Sequence, residues 1–209
     1  MAGSSVHPHV RAVRAALFGL TSLALAVGLG AALSPMATAD TSSDTISAAI
    51  LGGSLSAVVS APTQMSPVII DGLSSQASVG RPAEWTITNA RGSSAAWSLS
   101  VSATDFVSAP GTLDTMSRTV AAENLTITPG IVSARTSEGA DAAPTTDPVI
   151  VSARPQSLVW TDTLGKGTFT LTPEFSLSVP ANAYRSNFSG AIDGSAVNPF
   201  VSTLTFTIA

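Results

Sequence analysis

Two runs of strict alternation organise the chain. In Trp85-Thr-Ile-Thr-Asn89 the side chains of Trp85, Ile87 and Asn89 share one parity. In Trp97-Ser-Leu-Ser-Val-Ser-Ala103 the side chains of Trp97, Leu99, Val101 and Ala103 share another. Successive side chains of a strand point to opposite faces, so each run predicts a strand with one face buried. Asn89-Ala-Arg-Gly-Ser-Ser between them supplies turn chemistry, with Gly92 able to take positive φ, and the two runs read as a β-hairpin. Period-two patterning returns at Phe169 and Leu171, at Phe175, Leu177 and Val179 after Pro173, and at Leu204, Phe206 and Ile208 between threonines.

Weaker signals fill the intervals. Leu55, Val58 and Val59 fit a first strand after Gly52-Gly53. Pro62 to Pro67 reads as a turn region, Val68-Ile-Ile70 as a short buried strand, and Gln76 to Val79 as another strand. Leu125 to Val132 contains Pro129 and Gly130, which predicts an edge or bulged strand. Ala134 to Pro148 is the longest polar stretch and predicts a mobile loop, long for a compact domain. Val149 to Ala153 and Ser157 to Trp160 read as short strands, and Gly165-Lys-Gly167 as a turn. No long stretch after the first 39 residues has helical periodicity. The pattern predicts an all-β chain, a single Ig-like β-sandwich of about nine strands over residues 40–209. Tyr184, the one tyrosine, follows Pro180 and precedes a turn, a setting that suits a tyrosine corner.

The window from Trp85 to Phe106 resembles the WxL domain of bacterial surface proteins, in its actinobacterial form. The name-giving motif falls on Trp97-Ser98-Leu99, preceded by Thr86-Ile-Thr-Asn-Ala-Arg-Gly92 and followed by Val101-Ser-Ala-Thr-Asp-Phe106. Gly167-Thr-Phe-Thr, Leu177-Ser-Val-Pro-Ala-Asn-Ala-Tyr184 and Ser202-Thr-Leu-Thr-Phe-Thr-Ile208 also resemble the family. Phe206 stands where the family's second motif carries a tryptophan, and the stretch from Ser189 to Phe200 is an insertion relative to that pattern. The resemblance spans about Ile46 to Ala209. It implies a secreted, non-catalytic β-domain held non-covalently on the cell wall, with peptidoglycan as ligand and Trp97, Leu99, Trp85 and Phe206 as candidate binding residues. The alternative is a structural or interaction module whose edge strand pairs with another surface protein.

The first 39 residues change the expected location. Arg11 and Arg14 precede an apolar run from Ala15 to Leu33, and Ala37-Thr38-Ala39 fits a cleavage site before Asp40. That is a signal peptide; the competing reading is an uncleaved anchor, since the run is long enough to span a bilayer. The C-terminus carries no hydrophobic tail or sorting motif, which predicts non-covalent retention and no stable membrane insertion after cleavage. Removing 39 of 209 residues leaves 170, with 7 basic against 13 acidic side chains, a net charge of −6. An acidic chain argues against nucleic acid and anionic membranes as partners.

Both histidines, His7 and His9, lie in the leader, and the chain has no cysteine. Ser-His-Asp triads, thiol nucleophiles and nitrogen- or sulfur-ligated zinc are therefore excluded from residues 40–209. Lys166 is the only lysine, on a predicted exposed turn that would not activate it. Glu84, Asp105, Glu123 and Glu174 are the carboxylates available for glycan hydrolysis, and solvated strand-end acids are the simpler reading of them. Asp141 and Asp147 offer oxygen ligands for calcium without a known calcium-loop spacing. No cofactor or metal is expected. Asn124-Leu-Thr126 and Asn187-Phe-Ser189 are sequons, of no consequence in a bacterial route. Trp97 has two readings, core or sugar-stacking surface, and its parity with Leu99 and Val101 favours the core; Trp85 and Trp160 share the ambiguity.

Overall fold

The computed structural model describes residues 46–135 and 139–209. The expected signal peptide, residues 1–39, lies outside them. In chain order the strands are β1 Leu55–Val58, β2 Gln76–Gly80, β3 Trp85–Asn89, β4 Trp97–Ala103, β5 Phe106–Ser108, β6 Arg118–Val120, β7 Leu125–Thr128 and β8 Ser133–Ala134. There follow β9 Thr145–Thr146, β10 Val149–Ile150, β11 Gln156–Thr161, β12 Gly167–Leu171, β13 Glu174–Val179, β14 Asn187–Phe188, β15 Val197–Asn198 and β16 Leu204–Ile208. One 3-10 turn, Ala122–Asn124, is the only helical piece among the described residues. The chain is all-β. Of the sixteen strands, nine are four residues or longer; the other seven are fragments of two or three residues, too short for alternation to register.

The strands form three four-stranded antiparallel sheets, ordered β1-β3-β12-β8, β10-β7-β13-β2 and β16-β4-β11-β9, with β14-β15 and β5-β6 as small ribbons. The sheets pack over one hydrophobic cluster as a β-sandwich, with Trp85, Ile87, Leu99, Val101, Phe169 and Phe175 at its centre. β3 and β4 alternate between buried and half-exposed residues along their whole length, as the sequence pattern requires.

The hairpin expected between them is not formed. β3 pairs with β1 and β12, whereas β4 pairs with β16 and β11. The connection over residues 90–96 therefore carries the chain from one sheet to another. The reason lies in burial: both strands turn a tryptophan-bearing face inward, and placing the two faces in different sheets lets them close on the same core.

Two other expectations change. Val68-Ile-Ile70 is not a strand, and Ile69 is 89 % exposed. Pro67 removes a ladder donor before it. After it the Asp71 carboxylate accepts the Leu73 and Ser74 backbone N–H groups at 2.8 and 3.0 Å, which fixes a turn. β7 ends at Thr128, before Pro129, and lies inside its sheet between β10 and β13 instead of at an edge. The bulge falls in β11, where the register shifts between Ser157 and Val159 and Leu158 and Val159 are both buried.

The long polar stretch is anchored at several points outside residues 136–138, which are not described. Arg135 N–H donates to the Thr168 carbonyl at 2.8 Å, Asp141 N–H to the Lys166 carbonyl at 2.9 Å, and β9 pairs with β11.

Candidate functional site

The motif residues build a largely buried assembly. The Trp97 side chain is 3 % exposed, and its indole N–H donates to the Gly165 carbonyl at 3.2 Å. The buried Asn89 amide donates to that same carbonyl at 3.0 Å. Its side-chain oxygen accepts from Arg91 Nε at 3.1 Å and from the Arg91 backbone N–H at 3.3 Å. The Arg91 guanidinium then donates to the Ala95 and Ala96 carbonyls at 2.9 and 3.2 Å. Asn89, Arg91 and Trp97 thus hold residues 90–96 against the turn before β12. Buried polar groups are retained only when hydrogen-bonded, and the described residues leave no buried side-chain polar atom without a partner.

Gly165 completes this contact. Its φ is +73°, and a Cβ there would lie 2.8 Å from the Trp97 indole nitrogen. Glycine is needed for both the backbone conformation and the close approach. The first strand joins the same end of the sandwich through Gly53, whose N–H donates to the Ala90 carbonyl at 2.7 Å.

The four candidate binding residues fall in or against the core. Trp85 and Leu99 are buried with Trp97, and the Trp85 indole N–H donates to the Ser60 carbonyl at 2.9 Å. Phe206 is half-buried and meets Trp85 edge-on at 5.1 Å between centroids, with Phe175 edge-on to Trp85 at 6.2 Å. The structure brings Trp85 and Phe206 together across the core. Trp85 and Leu99 are enclosed, whereas Trp97, although almost fully buried, reaches the floor of a shallow groove.

Trp160 is placed differently. It stands on β11, opposite Ser98 of β4, and its ring is half-exposed. With Ala96, Ser98, Ser157, Asp162 and Ala209 it lines a shallow groove of about 370 Å³ whose floor includes Trp97. An exposed indole face attracts the positive edges of C–H bonds, and neighbouring hydroxyl and carboxylate groups can bond ring substituents. The sequence offered no signal that separated Trp160 from the other two tryptophans, because the bulge in β11 upsets the parity count just ahead of it.

A second, larger concavity opens where the sandwich is not closed. It has a volume of about 1230 Å³ and an apolar floor of Phe106, Leu125, Phe175, Leu177 and Leu204, roofed by residues 61–70. The Arg185–Asp193 ion pair, 2.6 Å, sits at its rim.

Asp105, Glu174 and Asp141, among the remaining candidates, have structural partners. Asp105 accepts the Ala122 N–H at 2.9 Å and so stabilises the 3-10 turn that contains Glu123. Glu174 pairs with Arg81 on the surface. Asp141 accepts the Lys166 backbone N–H at 2.7 Å, and the described residues contain no cluster of three metal-ligating acids. Tyr184 does not form the expected corner: its ring is 58 % exposed and lies 3.7 Å beneath the Arg118 guanidinium. Asn187 is buried, with its side-chain oxygen accepting the Leu113 and Asp114 N–H groups at 3.1 and 3.2 Å. Asp114 in turn pairs with Arg118, and its carboxyl is held below the ordinary aspartate range, first by the Met116 N–H and then by the Arg118 guanidinium.

No family model, no curated protein and no solved structure matches this chain.

Proposed function

We propose that the protein is a secreted, non-catalytic component of the bacterial cell envelope that associates non-covalently with cell-wall peptidoglycan. The reading rests on the resemblance of Trp85 to Phe106 to WxL domains. The observation that carries it to a surface is the groove of Trp160, Ser98, Ser157 and Asp162, whose floor is the edge of the largely buried motif tryptophan, Trp97. In this reading Trp97, Asn89 and Arg91 act as positioning residues. They fix β4 and the turn before β12, and the neighbouring β11 then displays Trp160 to a sugar ring.

The test is co-sedimentation of residues 40–209 with purified wall. Retention on the wall, competed by soluble wall glycan, is expected. Trp160→Ala should weaken it by about tenfold or more, the scale on which one aromatic anchor contributes to a binding surface. Trp97→Phe should keep it. A protein that stays in the supernatant, or a Trp160→Ala variant retained as well as the parent, removes this reading.

The second reading, a module that pairs through an edge strand with another surface protein, draws on β16. That strand pairs with β4 on one side only and ends its sheet. A protein partner crosslinked on cells and unaffected by wall glycan would favour it.

A further inference from the structure

Residues 46–51, Ile-Ser-Ala-Ala-Ile-Leu, expose three aliphatic side chains almost completely: Ile46 at 98 %, Ile50 at 96 % and Leu51 at 90 %. They carry no charge and no proline. The segment belongs to no strand and packs on no sheet, and exposed apolar segments are what native proteins ordinarily avoid. The described residues also form an apolar cleft of about 1230 Å³ under residues 61–70. Its roof, Ala61 to Ile70, is uncharged, and the one ion pair at its rim, Arg185–Asp193, is mutually neutralised. A charged occupant would lose hydration without gaining a partner there, whereas an uncharged aliphatic segment would not.

Ile50 and Leu51 cannot reach the mouth of the cleft at Ala61 in their own molecule. Gly53 is pinned to Ala90 at the Asn89 end of β3. From there β1 runs the length of β3, and the chain first meets the cleft at Ala61, eight residues on and about 26 Å away at strand rise. Ile50 and Leu51 stand three and two residues from Gly53, a reach of about 10 Å.

We propose that residues 46–51 of one molecule occupy the apolar cleft of a second copy. The donor segment and the acceptor cleft are different surfaces at opposite ends of β1, so the contact is heterologous and joins molecules head to tail. Heterologous contacts give rings or open filaments in place of closed two-fold dimers. The proposal is independent of wall binding.

The test uses protein expressed from the full-length sequence and purified in its processed form. Light scattering should show a mass that rises with concentration beyond a dimer. Ile46→Ser/Ile50→Ser/Leu51→Ser should shift self-association to about tenfold higher concentration or more, with an unchanged thermal melt, because these side chains touch no core. The chain contains no cysteine, so a disulfide trap has no background. Ile50→Cys mixed with Ile69→Cys should give a crosslinked pair under oxidation. Ile50→Cys mixed with Ile131→Cys, a similarly exposed position away from the cleft, should not. A monomer at every concentration, oligomers unaffected by the triple substitution, or equal trapping by both pairs would each overturn the proposal.

Discussion

At the residue scale the motif tryptophan is a structural centre. Trp97 is almost fully buried, and its N–H and the Asn89 amide share one acceptor, the Gly165 carbonyl. Trp97→Ala should lower the unfolding free energy by about 3–5 kcal/mol, read from urea unfolding, because the cavity cannot fully collapse against a sheet. Trp97→Phe should cost less, since it keeps most of the apolar contact while losing one hydrogen bond. Gly165→Ala should also destabilise, although it adds only a methyl group: the new Cβ meets the indole nitrogen, and φ +73° is unfavourable for alanine. Trp160→Ala, by contrast, should leave stability within about 1 kcal/mol, as expected for a half-exposed surface site. The parity of Trp97 with Leu99 and Val101 made its burial legible in the sequence. The partner of its N–H was not legible, because Gly165 is 68 residues away in the chain.

At the element scale, period-two patterning was a good guide to β3, β4, β12 and β13, each of which buries one face, and to β16, whose Leu204, Phe206 and Ile208 are half-buried. It could not say which strands pair. Residues 90–96 look like a hairpin turn, yet local turn chemistry is compatible with either a hairpin or a crossing between sheets. The choice is made by long-range packing of two tryptophan faces. The triad Val68 to Ile70 failed for the opposite reason: three adjacent apolar residues resemble a buried strand, but Pro67 and the Asp71 turn leave them no ladder to join.

The acidic turns give a pH prediction at this same scale. The Asp114 carboxyl is held down by the Met116 N–H and by Arg118, and that of Asp71 by the Ser74 and Leu73 N–H groups. A carboxyl whose folded pKa lies below its unfolded value stabilises the fold above the unfolded value, and the effect is lost as pH falls through the folded one. The melting temperature should therefore stay level near neutral pH and fall below about pH 4, where unfolded aspartates begin to take up protons. Asp114→Asn should melt earlier at neutral pH and show a shallower decline in acid. A decline as steep as the parent's would show that this turn contributes nothing to acid sensitivity.

At the scale of the whole molecule, three sheets share one core without a disulfide, and the two surfaces of interest lie apart. The Trp160 groove is at the end where Trp97, Gly165 and Ala209 meet, and the apolar cleft lies beyond Ala61 and Leu204. β4, β11 and β16 connect these ends as rigid elements. Substitutions at well-separated sites with no shared partner add independently. Ile69→Ser, at the cleft roof, should therefore weaken self-association without loss of wall retention per molecule, and Trp160→Ala should do the reverse. The double variant should show both defects at their single-variant magnitudes, measured by light scattering and by wall co-sedimentation at a concentration where the parent is monomeric. A loss of wall retention in Ile69→Ser at that concentration would mean that the cleft, and not the groove over the tryptophan motif, meets the wall.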